Sequence, residues 1–290
     1  MIYLSTFTAK FVILFFGLLG NTIGIIVFAR KSIEKKIKTK LIYQVILFID
    51  SLFLFSQVFE DTFDSLEIRL NRMSIIACKL RGFWNYAIAS LTTWYLVYIT
   101  IERYLAIKFH NFKLFQEKRF QKIIIIVVII YTCLLYSPFA IFYNIFTITI
   151  QNTTSLRCRI ADINIRSIMA TVDTVNSTLL PFILITVFSI LLIYTIISSR
   201  IRAMRMQANS ARNRLLKDIR LSLSILAINC TIFLSFPLEI ANYFVADIDV
   251  FLYDIFVCIF YVYYCLDTFI LILLNSNFKN ELLLMFKLKT

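Results

Sequence analysis

The chain is poor in the residues that build enzyme sites and flexible linkers. It has one histidine, four glycines and three prolines in 290 residues, and only 16% of its residues are charged. A soluble globular domain is about one-quarter charged. The single histidine, His110, has no catalytic or metal partner in a motif, and no Cys/His cluster, phosphate loop or nucleophile motif occurs. The sequence therefore predicts a protein that is not an enzyme.

Hydrophobic residues, by contrast, make up 60% of the chain, and its mean hydropathy is +0.82. About 20 apolar residues suffice for a helix to cross a bilayer. We therefore predict an all-α membrane protein, a seven-transmembrane helix bundle in a single domain over residues 1–290. The predicted spans are roughly 8–29, 41–59, 77–101, 123–146, 171–197, 221–246 and 250–274. A short amphipathic C-terminal helix is predicted at about 276–287. The first run is too long for a signal peptide and lacks a small-residue cleavage site, so we interpret it as a span.

Positive charge orients the predicted bundle. Most of the 30 lysines and arginines follow spans one, three and five or lie in the tail, whereas most acids lie in the opposite segments. Because lysine and arginine are enriched in cytoplasmic loops, we expect the N-terminus outside and the C-terminus in the cytoplasm. The net charge of +13 is then explained by membrane orientation, and no nucleic-acid partner is expected.

Two of the six cysteines, Cys78 and Cys158, are expected at the outer, oxidising face. From this placement alone, either a bridge or two free thiols remains open. The outer loop that contains Cys158 also carries a glycosylation sequon at Asn152.

Glu102-Arg103-Tyr104 stands where the third predicted span meets the positive side. Charged residues in lipid-spanning helices are rare and usually functional, although flanking charge at the interface is the ordinary alternative. The tripeptide resembles the Asp/Glu-Arg-Tyr signature of rhodopsin-like (class A) G-protein-coupled receptors. Further matches occur in the family's order, at Gly20-Asn21, Asp50, Cys78, Pro181, Phe236-Pro237, Asp267 and Phe278-Lys279.

The resemblance implies a plasma-membrane receptor that converts binding of an extracellular ligand into activation of a heterotrimeric G protein. It also implies that Cys78 and Cys158 form the family's disulfide across the outer end. At the inner face, Glu102 would hold Arg103 in the resting state, with Tyr104 beside it and Asp218 as a second acidic partner.

The family's ligand site is the outer half of the bundle, which here would include Arg81, Asn85, Asp173, Glu239 and Tyr261. Asn85 stands where amine receptors carry an aspartate, and Tyr261 where opsins carry the retinal lysine, so neither ligand class is expected. Two partly desolvated acids, Asp173 and Glu239, are expected to face the cavity and favour a cationic ligand, a basic peptide. The alternative is that both acids are solvated helix ends.

Asp50 and Asp267 are the acids predicted deepest in the bilayer. The resemblance implies a bound sodium ion between them, with Thr92 as a further oxygen ligand. The alternative is a pair of neutral, hydrogen-bonded carboxyls that join spans two and seven.

The chain departs from the family at groups of its activation relay. Ser189, Ser235, Thr268 and Leu271 stand where the family commonly has tyrosine, tryptophan, proline and tyrosine. A receptor-like protein that does not signal therefore stays open, and a membrane transporter or channel is the alternative class. The lipid bilayer is an expected partner in every case.

Overall fold

A computed structural model of the chain describes residues 2–34, 37–65, 74–109, 114–150, 153–205, 219, 222–230 and 250–286. The first helices are α1 (Ile2–Ala29), α2 (Lys31–Glu34), α3 (Lys40–Ser65), α4 (Ile75–Lys108) and α5 (Lys118–Phe142), with a 3₁₀ turn at Leu114–Gln116 before α5. A hairpin follows, with strands β1 (Tyr143–Ile150) and β2 (Thr153–Ile160). The later helices are α6 (Ile163–Asp173), α7 (Leu180–Arg205), α8 (222–230), α9 (Val250–Leu274) and α10 (Ser276–Met285).

Five helical stretches in the described part of the chain are long and apolar enough to cross a membrane. They are Thr8–Ala29, Lys40–Glu60, Lys118–Phe142, Ile163–Ser198 and Val257–Leu274. The predicted mostly helical membrane protein is thereby confirmed. Helix α4, which corresponds to the third predicted span, is not among the five, because it carries buried polar residues such as Ser90 and Thr100 along its length. Much of the predicted sixth span, 231–246, lies outside the described residues.

Helix α4 contacts α3, α5 and α7, and α1 packs against α3 and α9. The contact of α1 depends on small residues, as is common between membrane helices. A Cβ atom at Gly24 would lie 2.6 Å from Leu47 and 2.7 Å from the hydroxyl of Thr268. Any larger residue at Gly24 would therefore require the side chains of Leu47 and Thr268 to shift.

The fourth span begins and ends earlier in the chain than predicted, at Lys118–Phe142. Helix α5 ends at Phe142, and residues 143–146, predicted as helix, begin strand β1. The strands pair antiparallel, with Tyr143 opposite Ile160 and Ile150 opposite Thr153. The segment is rich in isoleucine and threonine, which favour strands, and an apolar count cannot distinguish such a strand from the end of a span.

The fifth span begins earlier than the predicted residue 171. Helix α6 begins at Ile163, where the Asp162 carboxylate caps it by accepting hydrogen bonds from the backbone N–H groups of Asn164 (2.8 Å) and Ile165 (3.2 Å). Between α6 and α7 the chain forms a π-helical turn, Thr174–Leu179, just before Pro181. Proline lacks a backbone donor, and such turns accommodate the interruption.

The predicted amphipathic helix is present as α10, which packs against the end of α1 and against α2. Phe278 is fully buried, with its ring centroid 5.1 Å from that of Phe28. The buried Glu281 carboxylate accepts a 2.6 Å hydrogen bond from Ser32 and lies 3.5 Å from Arg30. One face of α10 therefore packs on the protein, while Phe286 is exposed.

Candidate functional site

Arg103 lies near the C-terminal end of α4, and we call this end of the bundle the arginine end. Its Nη2 donates a 2.9 Å hydrogen bond to Oε1 of Glu102, and its Nε donates to Oε2 of the same carboxylate. Both side chains are buried, with Glu102 at 0% and Arg103 at 4% exposure. Two parallel bonds to one carboxylate are the strongest arrangement available to an arginine. The geometry fits the predicted partnership of Glu102 with Arg103.

Thr39 is a second partner of Arg103, which the sequence did not indicate. Its hydroxyl, fully buried beside the start of α3, accepts a 3.1 Å hydrogen bond from Arg103 Nη2. The two residues are 64 positions apart, and a lone threonine in a basic loop has no distinguishing pattern. The predicted second partner, Asp218, lies outside the described residues.

Tyr104 belongs to an apolar cluster at the arginine end, with Ile107 on α4, Leu192 and Ile196 on α7, and Ile219. Its ring meets Phe188 edge to face, with centroids 5.8 Å apart. The residue that follows Arg103 thus anchors α4 to α7.

One turn further into the bundle, three buried polar side chains meet from three helices. Asn229 on α8 donates from Nδ2 to Thr100 on α4 at 3.1 Å and to Ser189 on α7 at 3.0 Å. Ser189 occupies a position where the resembled family carries a tyrosine. The sequence drew attention to Ser189 as a departure but gave no sign of Asn229.

The deep acids are arranged in a way that fits a small hard cation. Thr92 donates a 2.9 Å hydrogen bond to Oδ1 of Asp50. Oδ2 of Asp50 and Oδ1 of Asp267 are buried, and no hydrogen-bond donor for either occurs among the described residues. A buried carboxylate oxygen without a partner is costly, and oxygen atoms are the ligands that hard cations take. Asp50, Asp267 and the hydroxyl oxygen of Thr92 would hold such an ion.

The opposite end, which we call the disulfide end, is closed by a covalent link. Cys78 on α4 and Cys158 on β2 form a disulfide, with their Cα atoms 5.6 Å apart. This confirms the predicted bridge. Cys158 lies opposite Ile145 in the paired strands, so the disulfide attaches the whole hairpin to α4.

Next to the disulfide, α3 and α4 share a polar cluster that contains two of the predicted pocket residues. Arg81 forms an ion pair with Glu60, and the Asn85 amide lies 3.5 Å from the same carboxylate. Gln57 donates a 2.9 Å hydrogen bond to Asn85 Oδ1. Gln57 and Glu60 were not predicted as pocket residues, because polar residues near the end of an apolar run do not differ in sequence from ordinary flanking residues at a membrane interface.

Asp173 is more enclosed than a solvated helix end would be. It is 6% exposed, and its Oδ1 accepts a 2.9 Å hydrogen bond from the hydroxyl of Tyr136 on α5. Asn176 joins the same group by donating to Tyr136 (3.2 Å) and to Ser90 on α4 (3.1 Å). Asp173 is therefore not a solvated helix end, and its carboxylate links α6 to α5.

The remaining predicted site residues fall in two groups. Tyr261 is buried in the main core, at 3% exposure. Glu239 and the sequon asparagine Asn152 lie outside the described residues, so their roles stay predictions.

These features occur in a chain whose sequence matches a known family over most of its length. The family model of the 7 transmembrane receptor (rhodopsin family) matches residues 20–271, which include the Glu102–Arg103 pair, both bridged cysteines and both deep acids. The chain belongs to the rhodopsin family of seven-transmembrane receptors. A search of curated proteins finds no individual match to this receptor.

Membership in the family fixes the broad function. Rhodopsin-family proteins are non-enzymatic receptors, and they couple an extracellular ligand to a heterotrimeric G protein. The prediction that the chain is not an enzyme is confirmed, and the transporter or channel alternative is set aside. The ligand class is not decided by the family.

Proposed function

We propose that this receptor lies in the plasma membrane with its disulfide end outside and its arginine end in the cytoplasm, and that it converts binding of a basic peptide into G-protein activation. The orientation is supported by the basic segments that follow α1, α4 and α7, because such segments favour the cytoplasmic side. A disulfide at the other end agrees with an oxidising exterior.

The buried pair of Glu102 and Arg103 is the observation that carries the coupling proposal. Removing two charges from water is expensive, and apolar residues of similar size commonly serve stability as well or better. An ion pair kept at the end of a membrane helix therefore indicates a functional role. We infer that Glu102 and Thr39 hold Arg103 in the resting receptor, and that the arginine meets the G protein when they release it.

The ligand proposal rests on Glu60. Its carboxylate is only 19% exposed and is shared between Arg81 and Asn85. A partly desolvated carboxylate attracts a cation more strongly than an exposed one does. A basic side chain of the ligand would take the place of the Arg81 guanidinium on Glu60. Asp173, whose carboxylate accepts a hydrogen bond from Tyr136, and Glu239 stay predicted further acids of the site.

A peptide screen tests the function. Cells that express the receptor are exposed to basic and amidated peptides, with cyclic-AMP and calcium readouts. We expect a basic peptide to signal, and Glu60→Gln or Glu239→Gln to raise its half-maximal concentration about tenfold, the effect of losing one charged hydrogen bond. The matched control is Glu117→Gln, since Glu117 is exposed near the arginine end. Unchanged potency in both acid variants would reject the basic ligand. Silence of every G protein with every peptide would favour a receptor-like protein that does not signal.

We also propose that Asp50, Asp267 and Thr92 hold a sodium ion. Two buried oxygen atoms without donors and a hydroxyl already oriented by Asp50 support this site. The ion would supply positive charge that offsets the two carboxylates and joins α3 to α9.

A further inference from the structure

Asn229 on α8 makes hydrogen bonds to two other helices. It is fully buried, and its amide nitrogen donates to hydroxyls on two other helices, Thr100 and Ser189. Thr100 gives its own proton to the carbonyl of Leu96, one turn back on α4, at 2.8 Å. Its oxygen is therefore free to accept from Asn229. We call these three residues, Asn229, Thr100 and Ser189, the Asn229 clamp.

The Asn229 clamp lies on the face of α4 that leads to Arg103. Thr100 precedes Arg103 by three residues, and residues at that spacing share a helix face. Beyond the clamp, toward the arginine end, apolar contacts join Tyr104 on α4 and Leu192 on α7 with Ile219, which precedes α8 in the chain. The polar layer of the clamp is thus followed by an apolar layer that contains Tyr104, the residue next to Arg103.

Arg103 cannot meet an effector in this arrangement, because only 4% of it is exposed. Exposing it requires the helices around it to separate at the arginine end. The two hydrogen bonds of Asn229 tie α8 to α4 and to α7, so they oppose that separation. The Asn229 side chain is long enough to reach Ser189 on α7 and Thr100 on α4 at the same time.

We propose that Asn229 is a positioning residue that controls effector access to Arg103, by clamping α8 to α4 and α7 in the resting receptor. The proposal rests on the proposed G-protein function of Arg103, but the clamp itself is a property of the helices. It assigns a role to Ser189, which the sequence comparison marked only as a serine in place of a tyrosine of the family's relay. Loss of the clamp shifts the receptor toward the open arrangement without any ligand.

Spin-label distances test the clamp independently of any G protein. Leu114 and Leu223 are exposed, on the turn after α4 and on α8, and each is replaced by a labelled cysteine in receptor with Cys133→Ala and Cys230→Ala. In Asn229→Leu, which loses both hydrogen bonds, we expect the population at longer label distance to rise about fivefold or more. Asn229→Gln keeps an amide and should restore much of the short distance. An unchanged distance distribution in Asn229→Leu overturns the proposal.

Ligand-free nucleotide exchange provides the second readout, with purified receptor and a panel of G-protein heterotrimers. We expect Asn229→Leu to raise the exchange rate about fivefold or more, and Thr100→Val and Ser189→Ala to raise it less. Combining Thr100→Val with Asn229→Leu should add little, because both remove the same bond. The matched control is Cys230→Leu, an exposed neighbour on α8, which should exchange at the wild-type rate.

The outcomes separate the two ideas. Wider label distances with no exchange in any variant support the clamp and reject the G-protein function. A wild-type exchange rate in all three clamp variants of a receptor that responds to its agonist rejects the clamp. If Asn229→Leu does not fold, Thr100→Val and Ser189→Ala carry both measurements, and wild-type values in these two overturn the proposal.

Discussion

Replacing Thr39 by valine separates the contribution of Thr39 to holding Arg103 from that of Glu102. Valine keeps the shape of threonine and removes only the hydroxyl that accepts the 3.1 Å bond from Arg103 Nη2. A hydrogen bond to a charged group contributes about 1.5–3 kcal/mol. If the bond exists only in the resting receptor, its loss shifts the equilibrium toward the signalling form by roughly ten- to hundredfold. The bonds to Glu102 remain, so Arg103 should stay partly held.

Glu102→Gln gives the scale against which Thr39→Val is judged. It removes the negative partner of a buried arginine, and breaking a buried pair costs about 3–5 kcal/mol. We therefore expect basal signalling to rise in the order wild type, Thr39→Val, Glu102→Gln. The effect of Glu102→Gln also tests the predicted resting lock directly.

The assay is ligand-free nucleotide exchange by G proteins, normalised to the amount of receptor at the cell surface. Thr195→Val is the control, since the half-buried Thr195 bonds only within its own helix, to the Leu191 carbonyl, in the described contacts. Basal exchange at the wild-type level in Thr39→Val, with a wild-type surface amount, would refute the role of Thr39. A wild-type level in Glu102→Gln as well would refute the resting lock altogether.

Two further predictions concern the covalent and ionic links. Cys78→Ser or Cys158→Ser opens a link across 80 residues, whose loss costs about 4–5 kcal/mol of stability in the chain-entropy account. Each single variant and the double variant should therefore show the same lowered melting temperature in detergent, whereas Cys133→Ser should keep the wild-type value. An additive loss in the double variant would argue against the bridge as the cause. The melting temperature of the receptor should be higher in sodium chloride than in choline chloride at equal ionic strength, because a ligand that binds only the folded state stabilises it. Asp50→Asn should abolish this difference. Equal melting temperatures of the wild type in both salts would exclude the sodium site.

Part of this site is visible in the sequence because its members are marked by rarity. Acid and arginine at the end of an apolar run, and two cysteines on one side of the membrane, stand out against a background of aliphatic residues. Thr39, Gln57 and Asn229 do not stand out. Their partners lie 64, 28 and 129 residues away, and single hydroxyl or amide residues are frequent along these helices. Such pairings depend on which faces meet in space, which periodicity alone does not specify.

Asp173 shows a different limit, one of helical phase. Its predicted direction assumed a regular helix up to Pro181. The π-helical turn Thr174–Leu179 holds about one residue more than an α-helical turn, which rotates the preceding segment by roughly 100°. Asp173 lies in that segment and therefore meets Tyr136 on α5. One inserted residue thus changes which neighbours a residue before the turn contacts.

The disulfide also makes part of the receptor a closed ring. The polypeptide from Cys78 through α4, α5 and the hairpin returns to Cys158, and the bond between them completes the circuit. Arg103 and both of its neighbours lie inside that ring. A single break in the backbone between Phe109 and Leu114 would leave both pieces in one covalent molecule, and only reduction would let them part. In the proposed orientation, a bond on the outer side therefore holds together the two pieces of a segment whose function is on the cytoplasmic side.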